Sequence, residues 1–236
     1  MNILYEDNHL IIINKLPGQI IQGDKTGDTC LADEIKTFIK HRDNKPGNVF
    51  CGVVHRLDRP VSGVCIFAKT SKALTRMNNL VKNHELNKIY WAIVKPAPKN
   101  AEGTLNDWIV RNEKLNKSFI TIRDDHHSGT SLPSGRDAKQ AVLDYRTIGT
   151  SAGGYTLLEV TLHTGRHHQI RCQLAHMGCP IKGDLKYGAP RSNTDASISL
   201  HARSVEFVHP VSHENIYVQA PPPEEFVRMF ELKIKN

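Results

Sequence analysis

Short segments with the character of β-strands outnumber helical segments along this chain, and the two do not alternate regularly. Apolar and β-branched residues concentrate in short runs that clusters of Gly, Asp, Asn and Ser separate. The order argues against a doubly wound parallel sheet, in which strands and helices alternate. It predicts an α+β fold with a largely antiparallel mixed sheet flanked by helices. The predicted strands are 10–13, 63–68, 89–94, 108–110, 119–122, 141–148, 155–162, 198–202 and 216–219.

Four helices are predicted to accompany these strands. They cover 29–41, a segment capped by Thr70 or Ser71, 166–177 ending at Gly178, and a final segment that begins at 221–223. The polar, glycine-containing segment 126–137 is expected to be a mobile loop.

One carboxylate lies between two arginines in the segment His55-Arg56-Leu57-Asp58-Arg59-Pro60-Val61-Ser62-Gly63, directly before an apolar run that reads as a buried strand. A carboxylate so close to positive charge stays ionised near neutral pH. An ionised Asp58 can serve as a nucleophile or as a base. Because the neighbouring Arg56 and Arg59 can hold phosphates, this segment predicts chemistry on a nucleic acid.

The net charge agrees with a polyanionic partner. The chain has 31 Lys and Arg residues against 24 Asp and Glu residues, which gives a charge of +7. A basic balance of this kind favours nucleic acid, although a merely basic soluble protein has the same composition.

The sequence indicates a reducing, cytoplasmic setting without a membrane. No stretch approaches the roughly 20 apolar residues of a membrane span, and no secretory signal is visible. The five cysteines are odd in number, scattered, and form no Cys-x-x-Cys pair.

A second basic segment, Thr164-Gly165-Arg166-His167-His168-Gln169-Ile170-Arg171, is placed at the start of the predicted third helix. On a helix, Arg166 and Arg171 point about 140° apart, whereas His167 and Arg171 share a face. Arg171 lies among apolar neighbours, so it is expected to be partly buried and to need an anion, for which Asp58 is the most economical candidate. Alone, the segment would read as an ordinary solvated helix start.

Other residues near these segments carry weaker signals. His163, His167 and His168 suggest a metal site, but His163 belongs to the preceding strand and no Glu or Cys completes the set, so no metal is expected. Asp184, in a turn-rich stretch, is expected to cap a turn. Tyr90 and Trp91 should point to opposite faces of a strand, where a tyrosine packs in the core or stacks on a base.

Together these residues resemble the RluA-type pseudouridine synthase family over nearly the whole chain. The resemblance rests on four segments in the family's order: Ile3–Lys15, His55-Arg56-Leu57-Asp58 with Ser62-Gly63, Lys88-Ile89-Tyr90, and Gly165–Arg171 followed by Gly178, Pro180-Ile181 and Gly183-Asp184. Val61 departs from the family, which commonly has Thr there, and His168 is a crowded neighbour of His167. The opening segment starts at residue 3, which predicts a single catalytic domain over 1–236 without an N-terminal accessory RNA-binding domain.

The resemblance implies a pseudouridine synthase fold with a central RNA-binding catalytic cleft. It implies isomerisation of uridine to pseudouridine in ribosomal or transfer RNA, by base flipping and without metal or cofactor. Asp58 is implied as the catalyst, Arg171 as its partner and Tyr90 as the residue against the flipped uracil. The implied RNA contacts are Arg56, which fills the gap in the stack, Arg59, Lys88, Arg166 and His167. We expect a monomer.

Two other function classes remain open at this point. An RNA-binding protein of the same fold without chemistry would not need an ionised carboxylate beside RNA. A glycosidase-like hydrolase usually needs two carboxylates across the bond, and Asp184 is the nearest candidate for the second.

Overall fold

The computed structural model describes residues 1–23, 27–122 and 137–232. By their contacts these residues form two compact units: Met1–Lys88 with His201–Pro223, and Ile89–Leu200 with the segment from Glu224 onwards. The single catalytic domain stays a prediction. Most of segment 126–137 lies outside the described residues. In the described part of the chain, none of the helices is long and apolar enough to span a membrane.

Eleven strands and four α-helices make up the described part of the chain. The strands are β1 (Ile3–Glu6), β2 (Leu10–Lys15), β3 (Gly52–Val53), β4 (Ser62–Ala68), β5 (Asn87–Val94), β6 (Glu102–Asn112), β7 (Lys117–Thr121), β8 (Lys139–Thr150), β9 (Thr156–Leu162), β10 (Leu200–Val208) and β11 (Asn215–Gln219). The helices are α1 (Leu31–Arg42), α2 (Ser71–Lys82), α3 (Gln169–His176) and α4 (Glu224–Phe230).

In the first unit the strand order is β1-β2-β4-β10-β11, and β3 pairs with β4. These pairings are antiparallel except that of β4 with β10, which is parallel. Helix α2 packs its buried Ala73 and Met77 against apolar side chains of β2 and β4 such as Ile12 and Ile66. Thr70 caps α2 by accepting a hydrogen bond from the Ala73 amide at 3.1 Å.

In the second unit the order is β5-β9-β8-β6-β7, and each of these pairings is antiparallel. Helix α3 contributes Cys172 to a cluster with Ile109 of β6 and Ala141 of β8. Helix α4 buries Phe226 against β5 and β9. The predicted α+β class with a largely antiparallel, mixed sheet arrangement is thus confirmed.

Gly63 fixes the point at which β4 leaves the loop that contains Asp58. Its φ of +112° lies in the left-handed region, and a Cβ placed there would be 2.2 Å from the carbonyl oxygen of Ala202 on the paired strand β10. Only glycine allows the two backbones to approach this closely. The end of the loop is therefore held against β10 by the sheet itself.

Most predicted elements are present, with shifted ends. β1 and β3 were missed, because four and two residues are too few to show a period. Helix α3 begins at Gln169 rather than at 166, since its N-cap, His168, has left-handed backbone angles. Helix α4 begins at Glu224, after the prolines.

Candidate active site

Asp58 lies in a loop whose backbone is tied at several points. The Asp58 side chain is half-buried, and its carbonyl oxygen accepts a hydrogen bond from the Val61 amide at 3.0 Å, which closes a turn. The ammonium group of Lys15 lies beneath this turn. It donates to the carbonyl oxygens of Asp58 at 3.3 Å, Arg59 at 3.0 Å and Val61 at 2.6 Å. One buried cation thus holds both sides of the loop.

Lys15 is a site residue to which the sequence analysis gave no role. The predicted strand 10–13 ends before Lys15, whereas β2 continues through Lys15 and buries its side chain completely. Burial lowers the pKa of the Lys15 ammonium to about 8, and the nearby Asp58 charge opposes this shift. The sequence signal for this role was a lysine at the end of an apolar strand. A lysine that faces the core there needs several hydrogen-bond acceptors, which a nearby loop can supply.

The strand that leaves the loop has a second polar anchor. Ser62 and the Nδ1 atom of His201 are 2.8 Å apart, in register on β4 and β10. Burial lowers the pKa of His201 to about 4, so its ring is neutral at pH 7. A neutral ring whose Nε2 donates to the Ala220 carbonyl, 3.4 Å away, accepts at Nδ1 from the Ser62 hydroxyl. The backbone on both sides of Asp58 is therefore fixed by buried side chains.

Substitution of Lys15 by Met should change how the free energy of unfolding depends on pH. Between pH 8 and 10.5 the unfolded chain holds more protons on Lys15 than the folded chain does, so this residue makes stability rise with pH across that window. The unfolding free energy of wild type minus that of Lys15→Met should rise by on the order of 3 kcal/mol there.

Urea denaturation at half-unit pH steps measures this difference. Taking the difference cancels groups that titrate alike in both proteins, such as Cys172, whose thiol pKa burial raises to about 11. Lys40→Met, at an exposed position on α1, is the matched control and should give a flat difference. A flat difference for Lys15→Met as well would show that its ammonium is not desolvated.

The three predicted RNA-binding residues of the first unit differ in their surroundings. Arg56 is exposed. Arg59 is also exposed, but it donates to the Gly18 carbonyl at 3.1 Å and lies 3.3 Å from the carboxylate of Asp28. Lys88 is half-buried, and desolvation lowers the pKa of its ammonium. Arg56 and Lys88 have no carboxylate within 4 Å in the described part of the chain, so both remain available to an anion.

The second basic segment differs from the predicted helix start. Arg166 and His167 precede α3, so their predicted helical angles relative to Arg171 are wrong. The side chain of Gln169 accepts from the Arg166 amide at 2.9 Å and from the Thr164 hydroxyl at 2.8 Å, which organises this turn. Arg166 donates from Nε to the Gln140 carbonyl at 2.8 Å. The segment is a tight loop before a helix, and the conformation of that loop determines where its basic side chains point.

Arg171 is buried, as predicted, and the structure supplies a buried anion for it. The Asp184 carboxylate accepts from Arg171 Nε at 2.7 Å and from Nη2 at 2.9 Å, and the Asp184 side chain is 1% exposed. The expectation that Asp184 caps a turn is wrong, because its side chain makes no capping bond. Burial beside a guanidinium also leaves no role for Asp184 as a second catalytic acid. The pairing of Arg171 with Asp58 stays a prediction.

Tyr187 also lies beside Arg171. Its ring lies 5.1 Å from the guanidinium carbon of Arg171, and its hydroxyl accepts from the Ser118 amide at 2.8 Å. His168 Nδ1 lies 3.0 Å from the same hydroxyl. The bidentate contact with Asp184 and the Tyr187 ring together fix the orientation of the Arg171 guanidinium plane.

The histidines of this region bind protein groups. His167 and His168 stack at 3.8 Å, His167 contacts Ser118 and Asn116, and His163 lies 2.6 Å from Asp144. The described residues contain no group of three or more His, Cys, Asp or Glu side chains placed to hold a metal ion.

Tyr90 is buried in β5, opposite Val160 of β9, and is 8% exposed. Its neighbour Trp91 is half-buried and donates to the Glu159 carboxylate at 3.4 Å. The alternation along β5 thus places the two aromatic residues on opposite faces, as predicted.

Comparison with known proteins identifies the family. Residues 9–176 match the sequence model of the RNA pseudouridylate synthase family. The chain is 34% identical to ribosomal large subunit pseudouridine synthase D of Xanthomonas campestris, over 97% of this chain and 68% of that protein. It is 33% identical to the protein of the same name from Xylella fastidiosa, with the same coverage.

A solved structure shares the fold. The human protein RNA pseudouridylate synthase domain containing 4 superposes with a TM-score of 0.80 at 24% identity, over 100% of this chain and 95% of that one. At this identity the likeness establishes the fold, while the sequence matches establish the function. The chain belongs to the RNA pseudouridylate synthase family, as its resemblance to the RluA type predicted, and it is an isomerase that converts uridine to pseudouridine in RNA.

Proposed function

We propose that the RNA substrate is ribosomal RNA and that Asp58 is the residue that attacks the target nucleotide. The substrate proposal is supported by the names of the relatives, which are large-subunit ribosomal synthases covered over two thirds of their length. The Asp58 proposal is supported by the loop, in which Lys15 and the turn to Val61 fix the main chain that carries the half-buried Asp58 carboxylate.

The reaction is an isomerisation, so it needs neither an oxidant nor an energy source. The bond from the sugar C1′ to the uracil N1 breaks, the base turns, and C1′ joins C5 of the ring. The proton lost from C5 is balanced by the one that N1 gains. Asp58 provides the carboxylate that attacks the sugar or the ring, which requires it to be ionised when the nucleotide arrives.

Arg171 and Tyr90 are proposed to complete the catalytic set. Asp184 takes the Nε–Nη2 edge of the Arg171 guanidinium and, with Tyr187, sets its plane. Arg171 is proposed to provide a positive charge for the ionised Asp58. The buried ring of Tyr90 packs against the uracil once the base has left its stack.

Five residues are proposed to hold the RNA around the target. Arg56, exposed two residues before Asp58, fills the gap that the flipped nucleotide leaves, because its plane stacks and its charge meets phosphate. Arg59, Lys88, Arg166 and His167 contact the RNA backbone. Their surroundings differ, and Lys88, half-desolvated and without a carboxylate within 4 Å among the described residues, gains most from a phosphate.

Pseudouridine mapping in cells with and without the gene tests the substrate. Total RNA is treated with a carbodiimide that marks pseudouridine, and ribosomal and transfer RNA are read separately. We expect one or a few positions in large-subunit ribosomal RNA to lose the mark. Loss confined to transfer RNA would contradict the ribosomal proposal and replace it with the transfer RNA alternative.

We further propose that the protein acts as a monomer in the cytoplasm, where all five buried cysteines stay reduced. Sedimentation velocity at micromolar concentration tests the first part, since a monomer of 26.5 kDa is expected. A single species at twice that mass would contradict it.

A further inference from the structure

The tip of the hairpin formed by β6 and β7 carries a cluster of positive charge outside the residues assigned above. We propose that this tip, together with Lys186, is an RNA-docking surface that holds phosphates close to Arg171 in the second unit. The docking surface consists of Arg111, Lys114, Lys117 and Lys186. The proposal rests on the proposed function only in taking RNA as the partner.

The tip has one defined conformation. The Asn112 side chain accepts from the Leu115 amide at 3.0 Å, and the Asn116 amide donates to the Glu113 carbonyl at 3.1 Å. Asn116 has a φ of +45°, in the left-handed region, which closes the four-residue turn. A docking surface with a fixed backbone loses little entropy when RNA binds.

Contacts to two other elements hold the tip in place. Lys186 donates to the Asn116 carbonyl at 3.1 Å and to that of Leu115 at 3.5 Å. The Asn116 side chain lies 3.1 Å from His167 Nε2. The hairpin tip is therefore attached to the loop that carries Arg166 and His167, two of the proposed RNA contacts.

The docking surface and Arg171 contact the same aromatic ring. The Lys117 ammonium lies 5.0 Å from the centre of the Tyr187 ring, and the Arg171 guanidinium carbon lies 5.1 Å from the same centre. Phosphates bound at the tip would thus lie within the same small region of the second unit as the proposed catalytic arginine.

The charges of the docking surface are not neutralised within the described part of the chain. Some exposed cations elsewhere have carboxylate partners, as Arg42 has in Glu6 and Arg146 in Glu159. None of the four docking-surface cations has a carboxylate within 4 Å among the described residues, and Glu113 is the one acid in the turn. Because phosphates exchange their counterions for such unpaired cations, the arrangement fits a polyanionic backbone.

The test compares two double variants that remove the same charge. Arg111→Gln/Lys114→Gln removes two cations of the docking surface, whereas Lys40→Gln/Lys72→Gln removes two exposed lysines of α1 and α2. Each protein is titrated into an unmodified transcript of large-subunit ribosomal RNA at salt concentrations from 50 to about 300 mM. Circular dichroism and thermal unfolding confirm that both variants fold.

We expect the docking-surface variant to bind about tenfold more weakly than wild type at low salt. Its slope of log affinity against log salt should be shallower by about 1.5, as two lost phosphate contacts require. The Lys40→Gln/Lys72→Gln control should keep the wild-type affinity and slope within twofold. Equal affinity and slope for the two double variants would overturn the proposal.

Pseudouridine formation by wild type in the same transcript is measured separately. If the docking-surface variant shows the expected loss of affinity and slope but wild type forms no pseudouridine in the transcript, ribosomal RNA is contradicted as the substrate and the docking surface stays supported. Full activity of wild type with indistinguishable binding of the two double variants would overturn the docking surface alone.

Discussion

Asp184→Asn is expected to lower the free energy of unfolding by about 3–5 kcal/mol, since it removes the anion from a buried ion pair and leaves the guanidinium undercompensated. Asp184 is 1% exposed and makes two charge-assisted hydrogen bonds to Arg171. An amide has nearly the same shape as the carboxylate but offers only one acceptor and no charge. Urea denaturation followed by circular dichroism measures the loss.

Two further measurements show whether the loss of stability comes from this ion pair or from the loss of any carboxylate. Glu224→Gln makes the same chemical change in the exposed pair with Arg228 on α4, where the side chains are 88% and 78% exposed, and should cost less than about 0.5 kcal/mol. In a double-mutant cycle, Arg171→Gln and Asp184→Asn should couple by about 2 kcal/mol or more. Additive losses, or a change of under 1 kcal/mol for Asp184→Asn, would show that the pair does not stabilise the fold.

The fold class was predictable because it depends on local patterns. Apolar runs such as Val64–Ala68 and Ile89–Val94 mark buried strands whatever they pair with, and Thr70 marks the start of α2. Strand order was not predictable in the same way. The parallel pairing of β4 with β10 joins residues about 140 positions apart, and nothing local in either segment encodes it.

The candidate site was predictable where the residue type and its sequence neighbours are enough to indicate a role. Asp58 between arginines and the burial of Arg171 among apolar neighbours are local properties. The partners of these residues were not predictable, because they depend on how distant segments meet. Asp184 binds Arg171 instead of capping its own turn, and Lys15 lies beneath a loop more than forty residues away.

The start of α3 shows a third kind of failure. Residues 164–171 have the composition of a helix start, but the left-handed backbone of His168 moves that start to Gln169. Side-chain contacts stabilise this backbone conformation of His168, which stacks on His167 and contacts the Tyr187 hydroxyl. A reading of helical faces from Arg166 onwards therefore gave wrong directions for Arg166 and His167.

Asp58→Asn is expected to reduce pseudouridine formation by at least about a thousandfold, because an amide neither attacks as a nucleophile nor takes a proton. The fold should remain, since Lys15 and the Val61 amide hold this loop through the Asp58 main-chain oxygen, which the substitution leaves in place. Asp33→Asn, at an exposed position on α1, is the matched control and should keep wild-type activity.

We propose that the carboxylate of Asp58 performs the chemistry. The most direct measurement is the amount of pseudouridine formed in the substrate RNA, by quantitative mapping, in cells that lack the gene and express wild type, Asp33→Asn or Asp58→Asn at equal levels. Wild type and Asp33→Asn should restore the modification, and Asp58→Asn should leave it at the level of the empty control. Restored modification by Asp58→Asn would contradict a catalytic role of the Asp58 carboxylate.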